Sequence, residues 1–168
     1  MENERNLFIL RHAKSSWDEP DRRDQDRPLS TRGIRDIQHL AVSLRAELKG
    51  IDLIVSSHAN RAIHTAILLA SAADLPMSII RVSSGIYEKD ELQVLRVVHE
   101  VPSSYLNLMI VGHNPTFSYL ATKLAMGFRD ELPTSGLVRI GFRASSWQGI
   151  RAETSTGFVF HSPRGLGG

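Results

Sequence analysis

Basic side chains stand just after three short apolar segments of the sequence. They are Arg11 and His12 after residues 7–10, Arg61 after residues 53–55, and His113 after residues 106–111. Guanidinium and imidazole groups bind phosphate and carboxylate, and a neutral imidazole can also attack phosphorus as a nucleophile. Acidic residues are absent from the turns that follow these three segments. The set therefore favours an anionic ligand over a metal ion.

The elements that must position these groups alternate along the chain. Short apolar segments predict strands at residues 7–10, 53–55, 78–82, 106–111, 137–142 and 157–160. Helical spacing predicts helices from Ser30 or Thr31 up to Gly50 and over residues 60–73, 90–100 and 115–126. In the third helix, Leu92, Leu95 and Val98 are expected to face inward. This alternation predicts an α/β fold, a three-layer α/β/α arrangement with a mostly parallel central sheet flanked by helices, in which the last two strands add an antiparallel edge.

In an open parallel sheet, ligands bind beyond the carboxyl ends of the strands, so these basic groups should share one edge. A single histidine at a strand end is more often structural, and Arg61 alone is as well explained by a surface ion pair. Together the groups would repel one another unless a bound anion or a neutral imidazole relieved the charge. The combination therefore predicts a binding site for phosphate or carboxylate.

Length and composition limit the other possibilities. The 168 residues predict a single domain, 1–168, with residues 162–168 as a flexible tail. The hydrophobic fraction of 42% and the charged fraction of 23% are typical of a folded protein. Twenty basic and 18 acidic residues leave a net charge of +2, which indicates no nucleic-acid partner. The absence of cysteine excludes thiolate chemistry. The polar start indicates neither a signal peptide nor a membrane span, so the cytoplasm is the expected location.

Four segments of the sequence resemble the histidine phosphatase superfamily, particularly its SixA-type phosphohistidine phosphatase branch. They are Leu7-Phe8-Ile9-Leu10-Arg11-His12-Ala13-Lys14, Arg27-Pro28-Leu29-Ser30-Thr31-Arg32-Gly33, Ser56-Ser57-His58-Ala59-Asn60-Arg61-Ala62-Ile63-His64-Thr65-Ala66 and Val111-Gly112-His113-Asn114-Pro115. The resemblance implies a phosphoglycerate mutase-like fold, no metal and no cofactor. It also implies that His12 is the phosphorylated nucleophile and that Arg11, Arg61 and His113 form the phosphate pocket. One departure is Ala13, because the superfamily usually has glycine there, and a left-handed backbone would strain an alanine.

The resemblance implies hydrolysis of phosphohistidine on a partner protein through a covalent phosphohistidine intermediate. His12 must attack as the neutral imidazole. We expect the two arginines to lower the pKa of His12 and a backbone carbonyl to fix its tautomer. Two guanidiniums and a protonated imidazole would then stabilise the charge on the transferring phosphoryl group.

Three further residues and one loop have alternative interpretations. Glu88 is a candidate general acid for an oxygen leaving group, or a solvated charge near a helix start. Lys14 and Ser15 could donate to the phosphate, or be exposed loop residues. The loop over residues 14–30 mixes charges of both signs, which is typical of a solvated surface; alternatively it meets the substrate protein, with Trp17 as an anchor.

Two other functions stay open at the level of sequence. A small-molecule phosphomonoesterase would use the same His12 chemistry on a small phosphate ester, and a functional Glu88 would favour it. A noncatalytic phosphate- or phosphoprotein-binding module would need the arginines but not the nucleophile. A metal pair at His58 and His64 is disfavoured because their spacing does not place them on one helix face.

Overall fold

A six-stranded mixed sheet runs through residues 3–166, which are the part of the chain that the computed structural model describes. The strands are β1 (Asn3–Arg11), β2 (Leu53–Ser57), β3 (Ile80–Ser83), β4 (Asn107–Gly112), β5 (Leu137–Ala144) and β6 (Ser155–His161). Their order is β3-β2-β4-β1-β5-β6. The first four strands are parallel to one another, whereas β5 runs antiparallel to β1 and β6 antiparallel to β5. The predicted sheet and its antiparallel edge are confirmed.

Helices cover both faces of this sheet. They are α1 (Thr31–Ser43), α2 (Arg45–Leu48), α3 (Asn60–Ala72), α4 (Glu91–His99) and α5 (Thr116–Leu124). Alternate residues of β1 point to opposite faces, as the strand geometry requires. Leu7 and Ile9 pack in the core beneath α4 and α5, whereas Phe8 and Leu10 pack in the core beneath α1 and α3. The three-layer α/β/α class is therefore confirmed.

Several boundaries differ from the sequence prediction, such as the start of β1 at Asn3 in place of residue 7, and two of the differences have a local structural cause. The first helix is broken at Leu44, where φ is −105° and ψ is 14°, so residues 31–48 form two helices instead of one. The apolar spacing continues across the break, which explains why periodicity does not reveal it. The third strand begins at Ile80, because residues Met77–Ile79 form a 3-10 turn.

The inward face of α4 also differs from the prediction. Val94 and Val98 are buried and Leu95 is partly buried, but Leu92 is 50% exposed. A capping box between Asp90 and Gln93 begins the helix. Leu92 is two residues, or about 200° of helical rotation, away from the buried Val94, so it lies on the solvent side of the first turn. The prediction that Leu92 faces inward is wrong.

The end of the chain includes a 3-10 turn at Pro163–Leu166, within the segment expected to be a flexible tail. Residues 167 and 168 lie outside the described residues. Within residues 3–166, no helix combines the length and the apolar character needed to cross a membrane.

The start of α1 is packed against the turn that follows β1. Ser30 is the N-cap and its hydroxyl accepts a hydrogen bond from the Gly33 amide at 3.0 Å. The Ser30 amide in turn donates to the Lys14 carbonyl at 2.9 Å. A Cβ atom at Gly33 would lie 2.1 Å from that carbonyl oxygen, so only glycine fits there. The helix therefore holds the turn that carries the candidate site residues.

We expect Gly33→Ala to destabilise the protein, because backbone atoms cannot yield to the added methyl group. Overpacking of this kind costs about 1 to 3 kcal/mol, which exceeds the helix propensity that alanine adds. Urea unfolding of the variant measures the loss. Gly50→Ala is the matched control, because a Cβ there would meet its nearest atom at 3.8 Å. Equal stability of the two variants would contradict the close packing of Gly33.

Candidate active site

The carboxyl ends of β1, β2 and β4 bring the predicted site residues together. Arg11 pairs with Gly112 in the register of β1 and β4, so the residues after each strand are neighbours. The His12 amide donates to the Gly112 carbonyl at 2.9 Å, and the ring centroids of His12 and His113 are 5.2 Å apart. Arg61, in the first turn of α3, reaches the same edge. The predicted cluster of two imidazoles and two guanidiniums shares this edge.

His12 is only 8% exposed, and both of its ring nitrogens have partners. Nδ1 lies 2.7 Å from the Ala13 carbonyl oxygen. A carbonyl can only accept, so Nδ1 carries the proton and Nε2 carries a lone pair. Arg61 Nε donates to Nε2 at 3.3 Å. The expected backbone carbonyl thus holds the tautomer in which Nε2 can act as a nucleophile.

The environment lowers the pKa of His12 from its ordinary value of 6.5 to about 4. Burial is the largest cause, because it disfavours the charged imidazolium. The charges of Arg61, Arg11 and Arg27 lower the pKa further, while the hydrogen bond to Ala13 opposes the shift. Desolvation therefore lowers this pKa more than the two predicted arginines, Arg11 and Arg61, do, and a third arginine, Arg27, also contributes.

Arg61 is buried, and its guanidinium is held by a loop residue. Nη1 donates to the Asp24 backbone carbonyl at 2.6 Å, and Nη2 donates to the Asp24 carboxylate at 2.9 Å. Asp24 begins a 3-10 turn, Asp24–Asp26, in the loop between β1 and α1. The turns that follow the strands contain no acidic group, but the tertiary structure brings one to the site from this loop.

The Asp24 carboxylate accepts from two further side chains. The Tyr87 hydroxyl donates to Oδ2 at 2.7 Å, and Arg27 Nη1 donates to Oδ1 at 3.1 Å. Partial burial works against ionisation, but the hydrogen bonds from Tyr87, Arg61 and Arg27 lower the pKa of Asp24 to about 2. Asp24 is therefore ionised at neutral pH.

A cavity of about 330 Å³ lies beside His12 and is lined by all of the predicted residues of the β1 turn, namely Arg11, His12, Lys14 and Ser15, together with Arg61. Arg11 donates through Nη1 to the Leu132 carbonyl at 2.8 Å, and its buried Nε has no hydrogen-bond partner within residues 3–166. The Lys14 side chain is exposed at this cavity. The Ser15 hydroxyl accepts from Arg27, so it already has a partner on the protein side.

His113 lies on the other side of Arg61 and lines a second cavity of about 470 Å³. Its Nε2 is 2.8 Å from the Ser57 hydroxyl, whereas its buried Nδ1 has no partner in the described part of the chain. Burial, followed by the neighbouring His12 and Arg61, lowers the pKa of His113 to about 3. The imidazole is therefore neutral in this structure, in contrast to the protonated imidazole expected from the sequence.

Glu88 also lines the second cavity, with its side chain exposed. Its φ of 52° is in the left-handed region, which is uncommon for a residue other than glycine. The geometry thus brings Glu88 and His113 to the same cavity, and Glu88 as a general acid stays a prediction.

Ala13 takes the place of the usual glycine without strain. Its backbone does not adopt a positive φ, and its amide donates to the Thr65 hydroxyl at 2.9 Å. The Thr65 hydroxyl donates in turn to the Arg61 carbonyl at 2.6 Å. These bonds connect the β1 turn to the helix that carries Arg61.

Four residues of the site were not predicted from the sequence, namely Arg27, Asp24, Tyr87 and Ser57. Arg27 is buried at the His12 cavity and stacks on Trp17, with 3.2 Å between the guanidinium carbon and the ring centroid. Arg27 could have been predicted as a site residue, because it is the first residue of the Arg27–Gly33 segment that resembles the superfamily. Nothing in the sequence distinguishes Asp24 as a site residue, because the loop around it contains several other acidic and basic residues. Across residues 3–166, no three or more His, Asp or Glu side chains cluster as a metal site would require.

We expect an NMR titration of His12 to show an imidazole that stays neutral until about pH 4. An unfolded histidine titrates near 6.5, so between these values the unfolded chain binds more protons than the folded one. The free energy of unfolding should therefore fall as the pH drops from 6.5 to 4. His12→Asn should reduce that slope and leave the part that His113 contributes, because the pKa of His113 is lowered in the same way. Titration of the folded His12 near 6.5 would contradict this account of its environment.

Comparison with known proteins relates this geometry to a family. The model of the histidine phosphatase superfamily (branch 1) matches residues 7–82. An uncharacterized protein of Mycobacterium tuberculosis strain H37Rv is 32% identical over 166 residues, covering 92% of this chain and 100% of the relative.

Solved structures show the same fold. A protein of Agrobacterium tumefaciens assigned as a phosphohistidine phosphatase SixA is 27% identical, with a TM-score of 0.70 over 81% of this chain and 90% of that chain. A protein of Nakamurella multipartitia with the same assignment is 22% identical, with a TM-score of 0.81 over 96% of this chain and 97% of that chain. The resemblance to the histidine phosphatase superfamily is thereby confirmed. This chain belongs to the histidine phosphatase superfamily, is related to its SixA-type branch, and is a phosphatase.

Proposed function

We propose that this phosphatase hydrolyses phosphohistidine on a partner protein, with His12 as the nucleophile. In the first step His12 Nε2 attacks phosphorus, the P–N bond of the substrate breaks, and the leaving imidazole takes up a proton from solvent water. In the second step water attacks the phosphorus of phospho-His12, orthophosphate leaves, and free His12 is restored. The observation that carries this mechanism is the tautomer of His12, since the bond to the Ala13 carbonyl keeps the proton on Nδ1 and leaves a lone pair on Nε2. That lone pair now accepts from Arg61, and the attack on phosphorus would use it.

The phosphate pocket in this proposal consists of Arg11, Arg61 and His113. The two guanidiniums would bind the equatorial oxygens, whose charge must be stabilised during phosphoryl transfer. His113 is neutral without phosphate, and the approach of a dianion would raise its pKa, so that it binds the phosphate as a donor. Lys14 is an additional candidate donor, because it is exposed at the cavity that His12 lines.

Two observations support a phosphohistidine-bearing protein as the substrate. The chain is similar to proteins assigned as phosphohistidine phosphatases over most of its length. In addition, Trp17 is 72% exposed at the edge of the His12 cavity, and its ring is stacked on the Arg27 guanidinium. An exposed aromatic ring that is held in place by stacking beside a phosphate pocket is suited to contact a protein surface. A small phosphate ester would not reach far enough to need it.

A small-molecule phosphomonoesterase is the second candidate, and Glu88 is the observation that favours it. Glu88 lines the cavity on the His113 side, where a carboxylic acid could protonate an oxygen leaving group. Imidazole is a better leaving group than an alkoxide, so phosphohistidine has less need of such an acid. The contribution of Glu88 therefore separates the two substrate classes.

We expect the wild type to release phosphate from a phosphohistidine-bearing protein faster than from phosphoserine peptide, an aryl phosphate or phosphoglycerate. His12→Ala should reduce all release by at least about 10³-fold, because it removes the nucleophile. Rapid quenching at neutral to alkaline pH, followed by intact mass measurement, should detect an acid-labile phosphoryl group on the wild type.

His39→Ala is the matched control, since His39 is exposed on α1. Retained turnover in His12→Ala would refute the nucleophile. Faster turnover of a small ester by the wild type would refute the protein substrate, and phosphate binding without any turnover would favour a binding module.

We expect Glu88→Gln to leave phosphohistidine hydrolysis within about twofold of the wild type and to lower aryl or alkyl phosphate hydrolysis by about 10²-fold if Glu88 is the acid for esters. Steady-state rates on both substrates measure the ratio. Glu91→Gln, at the start of α4, is the control for loss of a nearby negative charge. An equal effect of Glu88→Gln on both substrates would contradict a role as leaving-group acid.

A further inference from the structure

Asp24 is an anion held against the arginine that is proposed to bind the anionic substrate. Its carboxylate and backbone carbonyl both accept from Arg61, and its side chain is half exposed. A carboxylate so close to the phosphate would repel it, so its presence calls for a physical reason. None of the roles assigned above to His12, Arg11 or His113 supplies one.

The geometry of the Arg61 guanidinium supplies that reason. A guanidinium is planar and presents its N–H groups along fixed edges. Asp24 accepts from Nη1 and Nη2, which form the end of the group. Nε, on the side of the group, points at His12 Nε2 from 3.3 Å. The second N–H of Nη2 lies on that same side edge. Asp24 therefore takes one edge and leaves the other turned toward the nucleophile.

Asp24 is itself held in place from several directions. Tyr87 and Arg27 donate to its two carboxylate oxygens. The loop around it is closed by the Ser16 amide, which donates to the Pro28 carbonyl at 2.8 Å. The Asn60 side chain donates to the Asp26 carbonyl at 3.2 Å, which fastens the 3-10 turn to the start of α3. The carboxylate is therefore a fixed acceptor and can orient a flexible arginine.

We propose that Asp24 is a positioning residue that holds the end of the Arg61 guanidinium, so that its side edge faces a phosphoryl group on its way to His12 Nε2. This inference deepens the proposed function and rests on Arg61 as a phosphate ligand. The alternative is that Asp24 occupies the phosphate position and competes with the substrate. The two accounts predict opposite signs for the effect of removing the charge.

A double-mutant cycle with Asp24→Asn and Arg61→Lys tests the proposal. Asn keeps the size of the side chain but accepts the Arg61 and Tyr87 protons less strongly. Since a misplaced catalytic group costs up to about 10²-fold, we expect Asp24→Asn to lower kcat/KM for an aryl phosphate by about 10- to 100-fold. A lysine side chain has no guanidinium for Asp24 to orient. In the Arg61→Lys background, Asp24→Asn should therefore lower kcat/KM by less than about threefold.

An increase in kcat/KM on Asp24→Asn would overturn the proposal, because it would identify Asp24 as a competitor of the substrate. An equal loss in both backgrounds would also overturn it, because Asp24 would then act independently of Arg61. Asp21→Asn is the matched control, an exposed carboxylate in the same loop. It should keep wild-type kcat/KM, and an effect as large as that of Asp24→Asn would attribute the loss to general loop charge.

A second measurement requires no turnover. The Arg61 Nε–H resonance, assigned by its disappearance in Arg61→Lys, should be sharp in the wild type and broadened by exchange in Asp24→Asn. An unchanged resonance in Asp24→Asn would overturn the proposal. If phosphohistidine on a protein is not the substrate, the wild type will instead prefer small esters. The double-mutant cycle measured with the aryl phosphate and the measurement of the Arg61 resonance would still test the role of Asp24.

Discussion

The rest of the site depends on keeping His12 neutral. Its imidazole is buried and faces guanidiniums, so protonation would place a further positive charge among fixed positive charges. One hydrogen bond, from Nδ1 to the Ala13 carbonyl, then decides which nitrogen carries the proton. A buried, neutral and oriented imidazole is what an attack on phosphorus requires. The same burial lowers the free energy of unfolding in acid, because His12 can be protonated in the unfolded chain but stays neutral in the folded one.

The second requirement is that the positive charges of the buried arginines are compensated. Arg61 and Arg27 are both buried, and a buried guanidinium without a partner is costly. Asp24 pairs with both of them, and Tyr87 completes its hydrogen bonds. The Asp24 interactions also connect the long loop to α3 and to the segment after β3. Charge balance, loop order and the direction of the Arg61 guanidinium are thus consequences of one carboxylate.

The sheet makes these contacts possible because parallel strands end at a common edge. Adjacent strands β1 and β4 place His12 and His113 beside each other, and β2 leads into the helix that carries Arg61. The first turn of α1 packs on the β1 turn so closely that Gly33 admits no side chain. The rigid elements therefore fix the backbone of the nucleophile, whereas the partners of the arginines come from loops.

Much of this protein could be predicted from its sequence alone. Apolar segments and helical periodicity predicted the layers and the strands, and the residues after the strands predicted His12, Arg11, Arg61 and His113, because strand ends in a parallel sheet must converge. Local patterns did not reveal the break at Leu44 or the exposure of Leu92, since apolar spacing continues through both. The neutral state of His12 was also predicted from its neighbours. Burial as the main cause of its lowered pKa, the neutral state of His113 and the pairing of Asp24 with Arg61 were not, since they depend on contacts between residues distant in sequence. Only the tertiary structure decided these, because desolvation and charge pairing are set by which groups meet in space and not by their spacing along the chain.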